Sequence, residues 1–186
     1  QGLRYGQSTS PHLHHIHERI RVAGQPVSDD ELVAAFGRVD SARGSVFLTY
    51  FEFLTLAALV IFQDHQLDLW ILEIGLGGRL DAVNVIDPDV SVITSIGLDH
   101  QAYLGITEEA IAREKAGVMR AGVTTFSAAM NVRKTLDDEA VHQGGLMRWL
   151  DEVLESSTLV LAKQIIDLNR MQLPKTSVAL ASLAME

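Results

Sequence analysis

The run Val46 to Phe62, VFLTYFEFLTLAALVIF, leaves few choices for the chain around it. A segment this apolar either crosses a bilayer or is buried in a core, and it reaches the lower limit of spanning length, roughly 17 residues. Glu52 lies inside it, with Thr49 and Thr55, and a carboxylate at membrane depth is costly. The spacing therefore predicts a buried helix, whose polar residues near the start need a reason of their own. At 186 residues the chain can bury one domain well and is short for two complete ones.

Beyond this helix the chain reads as alternating structure. Leu67 to Ile74, LDLWILEI, is a short apolar run flanked by turn signals and predicts a buried strand. It ends in GLGGR, Gly75 to Arg79, and the polar loop LDAVN. A second run, Asp89 to Ile96, predicts another strand and ends in GLDH. A helix is expected from Thr107 or Glu108 through Lys115, with Thr107 as N-cap before two acids. Val123 to Phe126 predicts a third short strand. This order implies an α/β domain with a mainly parallel sheet, in three layers, and both polar loops fall at the carboxyl ends of strands, where open α/β sheets bind ligands. Neighbouring strands of one parallel sheet would bring Glu73 and His100 to the same edge. Beyond Gly145, Trp149 to Leu168 has helical spacing, and Leu173 to Met185 is a further apolar stretch.

Charge and composition narrow the partners. A net charge of -9 argues against nucleic acid, which needs clustered Lys and Arg. The chain has no Cys, which removes disulfides and thiolate metal sites. No secretory signal or membrane segment is legible, which fits a cytoplasmic protein. The initial residue is Gln1 rather than Met, and a fragment is expected.

Several residues carry possible chemistry. Glu73, near the end of an apolar strand, predicts either a salt bridge to Arg79 or a hard-cation ligand, Mg²⁺ in particular. Asp99 and His100 close the next strand and either cap the following loop or share that edge. Gly75, Gly77 and Gly78 lack the GxGxxG spacing of a dinucleotide fingerprint and are read as letting the backbone turn and approach a ligand, with Asp81 and Asn84 offering polar groups nearby. His12, His14, His15 and His17 cluster in STSPHLHHIHERIRV, where a solvent- or substrate-facing loop is the better reading than zinc. Arg19 and Arg21 alternate with Ile20 and Val22 as in a strand. Lys115 near a helix end is by default a solvated partner of the helix dipole.

The segments TSPHL, ERIRV, SDDEL, ARG with LTYFEFLTLAAL, ILEIGLGGRLDAVN, DPDV, ITSIGLDH and AREKAGV, in this order, resemble the folylpolyglutamate synthase/dihydrofolate synthase family of the Mur ligase superfamily. The resemblance runs from about Gly6 to Gly122. It implies a partial central, P-loop-type ligase domain over residues 1–146 and a poorly matched helical tail at 147–186, with the C-terminal ligase domain expected to be absent. The implied reaction is ATP-dependent ligation of L-glutamate to dihydropteroate, to the γ-glutamyl tail of reduced folates, or to both. An acyl phosphate is the intermediate, and the work belongs to folate biosynthesis and one-carbon metabolism.

Site roles are implied by the same resemblance. Ser10, Glu73 and His100 match Mg²⁺ ligands, and Lys115 matches a lysine carried as a carbamate able to bind a second Mg²⁺. Glu73, His100 and Lys115 are thus the expected catalytic group. Thr49, Tyr50, Phe51 and Glu52 match a pterin- or folate-contacting segment, and Leu80, Asp81 and Ala82 a second one. The implied partners are small molecules (ATP, L-glutamate, dihydropteroate or a reduced folate), with neither nucleic acid nor membrane; the oligomeric state is open, the family reading being a monomer.

The departures qualify this. The family's GTNGKGS loop lies well before TSPHL, whereas only residues 1–9 precede Ser10 and none forms GK[ST], so this chain is expected to be inactive or weakly active. Val83 stands where Thr is common in GRLDATN. Asn169 is not in a matching context, so no nucleotide contact is carried onto it. Two other classes are a non-catalytic pterin-binding remnant and a folded interaction fragment; among enzymes, a peptidoglycan-precursor ligase is the nearest rival, disfavoured by LTYFE and GLGGRLDAVN.

Overall fold

The structure, a computed structural model, describes residues 2–152, 154–155, 158–160, 165–167 and 175–185. They form two compact units, Gln1–Leu76 with Leu80–Val85, and Gly77–Arg79 with Ile86–Glu186.

The first unit begins with β1 (Tyr5–Ser8), a 3-10 turn (Ile16–Arg19), β2 (Ile20–Val22) and β3 (Gln25–Pro26), then α1 (Asp29–Arg43), α2 (Tyr50–Asp64) and β4 (Leu69–Leu72). Its sheet runs β3-β2-β1-β4. The β1–β2 and β2–β3 pairs are antiparallel, whereas β1 and β4 are parallel, with Ser8 opposite Leu72. Helices α1 and α2 supply most of the core, which includes Leu32, Ala35, Ala57, Ala58, Ile61 and Phe62 beside Ile20 of β2. Phe62 is fully buried, and its ring meets Trp70 of β4 at 5.7 Å. Gly6 of β1 lies so close to that ring that an added Cβ would stand 2.6 Å from it.

Both long helices start on a capping box, a Ser or Thr followed three residues later by Glu. Ser28 and Glu31 open α1, and Thr49 and Glu52 open α2. The apolar run therefore becomes helical only after Thr49; Val46 and Phe47 precede it and are 59% and 85% exposed. Thr49 and Glu52 satisfy helix-terminal N–H groups that would otherwise lack partners, which gives the polar residues at the head of α2 a structural role. At 15 residues α2 is about 22 Å long, short of a hydrocarbon core of about 30 Å. Among the described residues no helix is long and apolar enough to cross a membrane.

The second unit contains β5 (Val90–Ile93), α3 (Gln101–Leu104), α4 (Glu108–Ala116), β6 (Thr124–Ser127), α5 (Arg133–Gln143) and β7 (Leu146–Trp149). Strands β5, β6 and β7 form an all-parallel sheet in that order, joined by the crossover helices α4 and α5. Ile93, Ile111, Ala112, Met119, Leu136 and Trp149 belong to its core. Ser91 and Thr125 share a buried 2.7 Å hydroxyl contact across β5 and β6. Strands β8 (Leu154–Glu155), β9 (Thr158–Val160) and β10 (Ile165–Asp167) form an antiparallel sheet, and α6 (Lys175–Ala184) packs against β5 and β6.

The α/β class holds, and α4 opens on Thr107, whose hydroxyl accepts from the Ala110 N–H. Two expectations are corrected. The strands predicted at 67–74 and 89–96 are not sheet neighbours: β4 pairs with β1, and β5 with β6. The partner of β4 is YGQS, a stretch too short and polar to announce itself as a strand. The helix expected over Trp149 to Leu168 is also not found. Its described residues are the end of β7, a 3-10 turn at Leu150–Glu152, and β8 to β10. Leucine and isoleucine spacing there satisfies a helical template, but in so short a stretch the intervals between apolar residues do not by themselves separate helix from strand.

Glu31 also accepts from His65, at 2.8 Å, so one carboxylate ties the start of α1 to the end of α2. The Ser28 backbone N–H, the Ser28 hydroxyl and His65 together lower its pKa from 4.5 to about 2. A depressed carboxylate pKa contributes stability that is present above the unfolded value and is lost as pH falls through the folded one. Thermal unfolding followed from pH 5 to 2 is expected to show a falling midpoint, with a shallower slope in Glu31→Gln. Ser28→Ala is expected to cost about 1 kcal/mol near neutral pH.

Candidate active site

The parallel register of β1 and β4 makes one sheet edge the meeting point of two chain segments. Beyond the paired Ser8 and Leu72, the Glu73 N–H donates to the Ser8 carbonyl at 2.9 Å. The Glu73 carboxylate then accepts from the Ser10 backbone N–H at 2.7 Å. Two of the residues expected to hold a metal are thus brought together. They open on a pocket also lined by Thr9, Arg19, Phe51 and Thr55. Phe51, on the first turn of α2, is one of the expected pterin-contacting residues, so the pocket joins an oxygen-donor edge to an aromatic face.

Sequence spacing assigns Arg19 only to the polar face of a strand; the structure puts it in this pocket. Its Nε donates to His12 Nδ1 at 2.8 Å, and its guanidinium lies 5.5 Å from the Tyr50 ring centroid. The signal in the sequence is the ERIRV segment, whose alternation does not separate the two arginines by role. The histidine cluster is distributed: His12 meets Arg19, His17 Nε2 lies 2.8 Å from Asp29, and the backbone N–H groups of His14 and His15 donate to Glu18.

The second expected substrate segment is built around Asp81. Its carboxylate accepts from the N–H groups of Gly75 at 3.0 Å, Leu76 at 2.9 Å and Val83 at 2.9 Å. Asp81 therefore shapes the glycine loop, while Leu80 beside it is 81% exposed. The glycines make room for the protein itself: a Cβ on Gly75 would stand 2.5 Å from the Phe51 ring. Gly75 so permits the close packing of the loop on the same aromatic that lines the pocket. Glu52 is engaged in its capping box, and the Thr49 N–H and then the Thr49 hydroxyl hold its pKa below the usual carboxylate value.

His100, Lys115, Gly77 and Gly78 belong to the second unit. A Cβ on Gly78 would stand 2.8 Å from the carbonyl oxygens of Glu114 and Lys115, at the end of α4, and Arg79 pairs with Glu114 at 2.9 Å. Lys115 is half-buried on the last turn of that helix. His100 caps α3 in the left-handed region, φ 49° and ψ 37°, with its N–H bound to Asp99. Such backbone is uncommon for a residue with a side chain and concentrates at functional positions. Among the described residues no three His, Cys, Asp or Glu side chains gather as a metal cage; Ser10 and Glu73 offer oxygen donors of the kind that suits a Mg²⁺ retaining waters and substrate oxygens.

No protein-family model matches the chain. The dihydrofolate synthase/folylpolyglutamate synthase of Escherichia coli K12 is 46% identical over 147 residues, 79% of this chain and 35% of the relative. The enzyme of the same name from Buchnera aphidicola subsp. Schizaphis graminum is 39% identical over 192 residues, 98% of this chain and 46% of the relative. E. coli FolC in complex with DHPP and ADP superposes with a TM-score of 0.92 at 39% identity, over 99% of this chain and 46% of that one. A bifunctional folylpolyglutamate synthase/dihydrofolate synthase with Mn, AMPPNP and L-glutamate bound gives 0.89 at 38% identity, over 99% and 47%. The fold is thus that of the Mur-ligase class of α/β proteins. Within it, the chain belongs to the dihydrofolate synthase/folylpolyglutamate synthase family, and it spans less than half the length of the curated relatives it matches.

Because Asp81 holds three backbone donors, Asp81→Ala is expected to lower stability by about 1–3 kcal/mol, read by urea titration. Hydrogen exchange at Gly75, Leu76 and Val83 should rise selectively.

Proposed function

We propose that this chain supplies the metal-facing and pterin-facing part of a site for ATP-dependent ligation of L-glutamate to dihydropteroate, to the γ-glutamyl tail of folates, or to both. The observation that carries this reading is the Ser10–Glu73 contact at a sheet edge, opening on a pocket that Phe51 helps to line. It is supported by the relatives, one solved with DHPP and ADP and another with Mn, AMPPNP and L-glutamate.

In the proposed reaction the γ-phosphoryl group of ATP passes to the substrate carboxylate. The amine of L-glutamate then forms the new C–N bond as inorganic phosphate leaves. Catalysis of this kind rests on alignment and charge neutralisation. Ser10 and Glu73 are proposed as Mg²⁺ ligands at this edge, and for the second unit the family resemblance proposes His100 as a Mg²⁺ ligand and Lys115 in its carbamate form. Bound Mg²⁺ would offset the charge of the phosphates. The chain's own groups do the rest. Phe51 and Tyr50 present aromatic surface to the pterin or the p-aminobenzoyl ring of a pteroate, Asp81 fixes the glycine loop behind Phe51, and the Arg19 guanidinium suits a carboxylate of the substrate. A cytoplasmic setting is part of this reading.

The test uses the 186-residue chain with Mn²⁺ as a paramagnetic stand-in and dihydropteroate as ligand. Glu73→Ala is expected to weaken Mn²⁺ binding by at least roughly tenfold, since even outer-shell changes cost that much. Phe51→Ala should weaken dihydropteroate binding while leaving Mn²⁺ affinity near the wild-type value. Equal Mn²⁺ binding by the wild type and Glu73→Ala would remove the metal from this edge.

A further inference from the structure

We infer that Glu18, which no ligand role accounts for, is a positioning residue that fixes Ser10 and Arg19 in the pocket by clamping the loop between them. The inference deepens the reading of this site as metal- and pterin-facing and rests on it. Its basis is one carboxylate that gathers a whole loop. Glu18 Oε2 accepts from the Leu13 N–H at 2.9 Å, and Oε1 accepts from the N–H groups of His14 at 2.8 Å and His15 at 2.7 Å. The Leu13, His15 and His14 N–H groups, in that order, draw the Glu18 pKa from 4.5 down to about 2, because they bond its charged form.

Ile16, just after the loop, packs against the core, but no apolar side chain within residues 11–15 is buried. Pro11, Leu13, His14 and His15 are exposed, Leu13 at 84%, so core packing does not hold this loop. The clamp is joined to the pocket at both ends. On one side, the Thr9 hydroxyl donates to the Glu18 carbonyl at 3.4 Å, the Thr9 N–H donates to the Arg19 carbonyl at 2.9 Å, and the Ser10 N–H donates to Glu73. On the other, His12 of the clamped loop accepts from Arg19 Nε. Release of the carboxylate would free residues 11–15 and loosen both the Ser10–Glu73 and the Arg19–His12 contacts. Glu18 itself does not line the pocket.

Glu18→Ala and Glu18→Gln in the 186-residue chain test this, read by amide hydrogen exchange, Mn²⁺ binding and thermal unfolding. In Glu18→Ala, exchange should rise at Leu13, His14 and His15 and, by about tenfold, at Ser10, the size expected for losing a charge-assisted hydrogen bond. Mn²⁺ affinity should fall roughly tenfold or more. Glu18→Gln keeps an acceptor oxygen and should restore part of both effects, and it carries the test alone if the alanine variant does not fold. Faster exchange confined to residues 13–15, with Ser10 exchange and Mn²⁺ affinity at wild-type values, would overturn the inference, because Glu18 would then serve only its own loop. Glu73→Ala separates the two readings. If it leaves Mn²⁺ binding intact, the metal assignment fails, and Ser10 exchange still decides whether Glu18 positions this edge.

Discussion

Parallel pairing of β1 with β4 is the constraint from which the candidate site is assembled. In a parallel pair the carboxyl ends of both strands reach the same edge, so the residues after Ser8 must meet those after Leu72. Ser10 and Glu73 lie 63 positions apart in the chain, and the ladder leaves the Ser10 N–H within 2.7 Å of the Glu73 carboxylate. The fully buried Phe62 and Gly6, which gives β1 its close approach to that ring, keep the strand where the ladder needs it. The Ser10–Glu73 edge is therefore a consequence of core packing beneath the sheet.

A second theme is how the acids of this unit are employed. Glu18, Glu31, Glu52 and Asp81 all accept from backbone N–H groups of loops or helix starts. A carboxylate is well suited to this, because charge-assisted bonds to several N–H groups are stronger than neutral ones and satisfy donors that no regular ladder reaches. Structural and functional roles need not exclude one another. The capping box at Thr49 and Glu52 fixes the first turn of α2, and that turn carries Phe51 into the pocket. Asp81 closes the glycine loop, and Gly75 of that loop packs on the same Phe51. The polar residues thus hold aromatic and oxygen-donor surfaces in place.

Much of this is legible in the chain because it depends on local rules. Thr107 announces α4, the runs around Leu69–Leu72 and Val90–Ile93 are apolar enough to read as strands, and Val123 to Phe126 is a shorter signal. The S/T-x-x-E pairs that open α1 and α2 are local as well, although the apolar run alone sets the start of α2 too early, at Val46. The motif segments also carry the family. Less legible are β1, which is four residues of mixed polarity, and β7 with the small sheet β8-β9-β10, where intervals between apolar residues fit two periodicities. Glu18 is hidden for a different reason. Its partners are backbone N–H groups, which nearly every residue has, so no side-chain pattern marks the clamp.

The sequence by itself determined that the run ending at Phe62 is a buried helix, where α4 begins, that the runs at 67–74 and 89–96 are extended, and which family the chain belongs to, since capping, periodicity and motif identity reside in neighbouring residues. Only the tertiary structure decided which strands pair, and hence that Glu73 meets Ser10, that Arg19 enters the pocket, and that Asp81 and Glu18 hold loops by their backbone. Strand pairing and loop closure are choices among distant partners of similar local propensity. They are resolved by the burial of side chains such as Phe62 and by the need of each buried or clustered N–H for an acceptor.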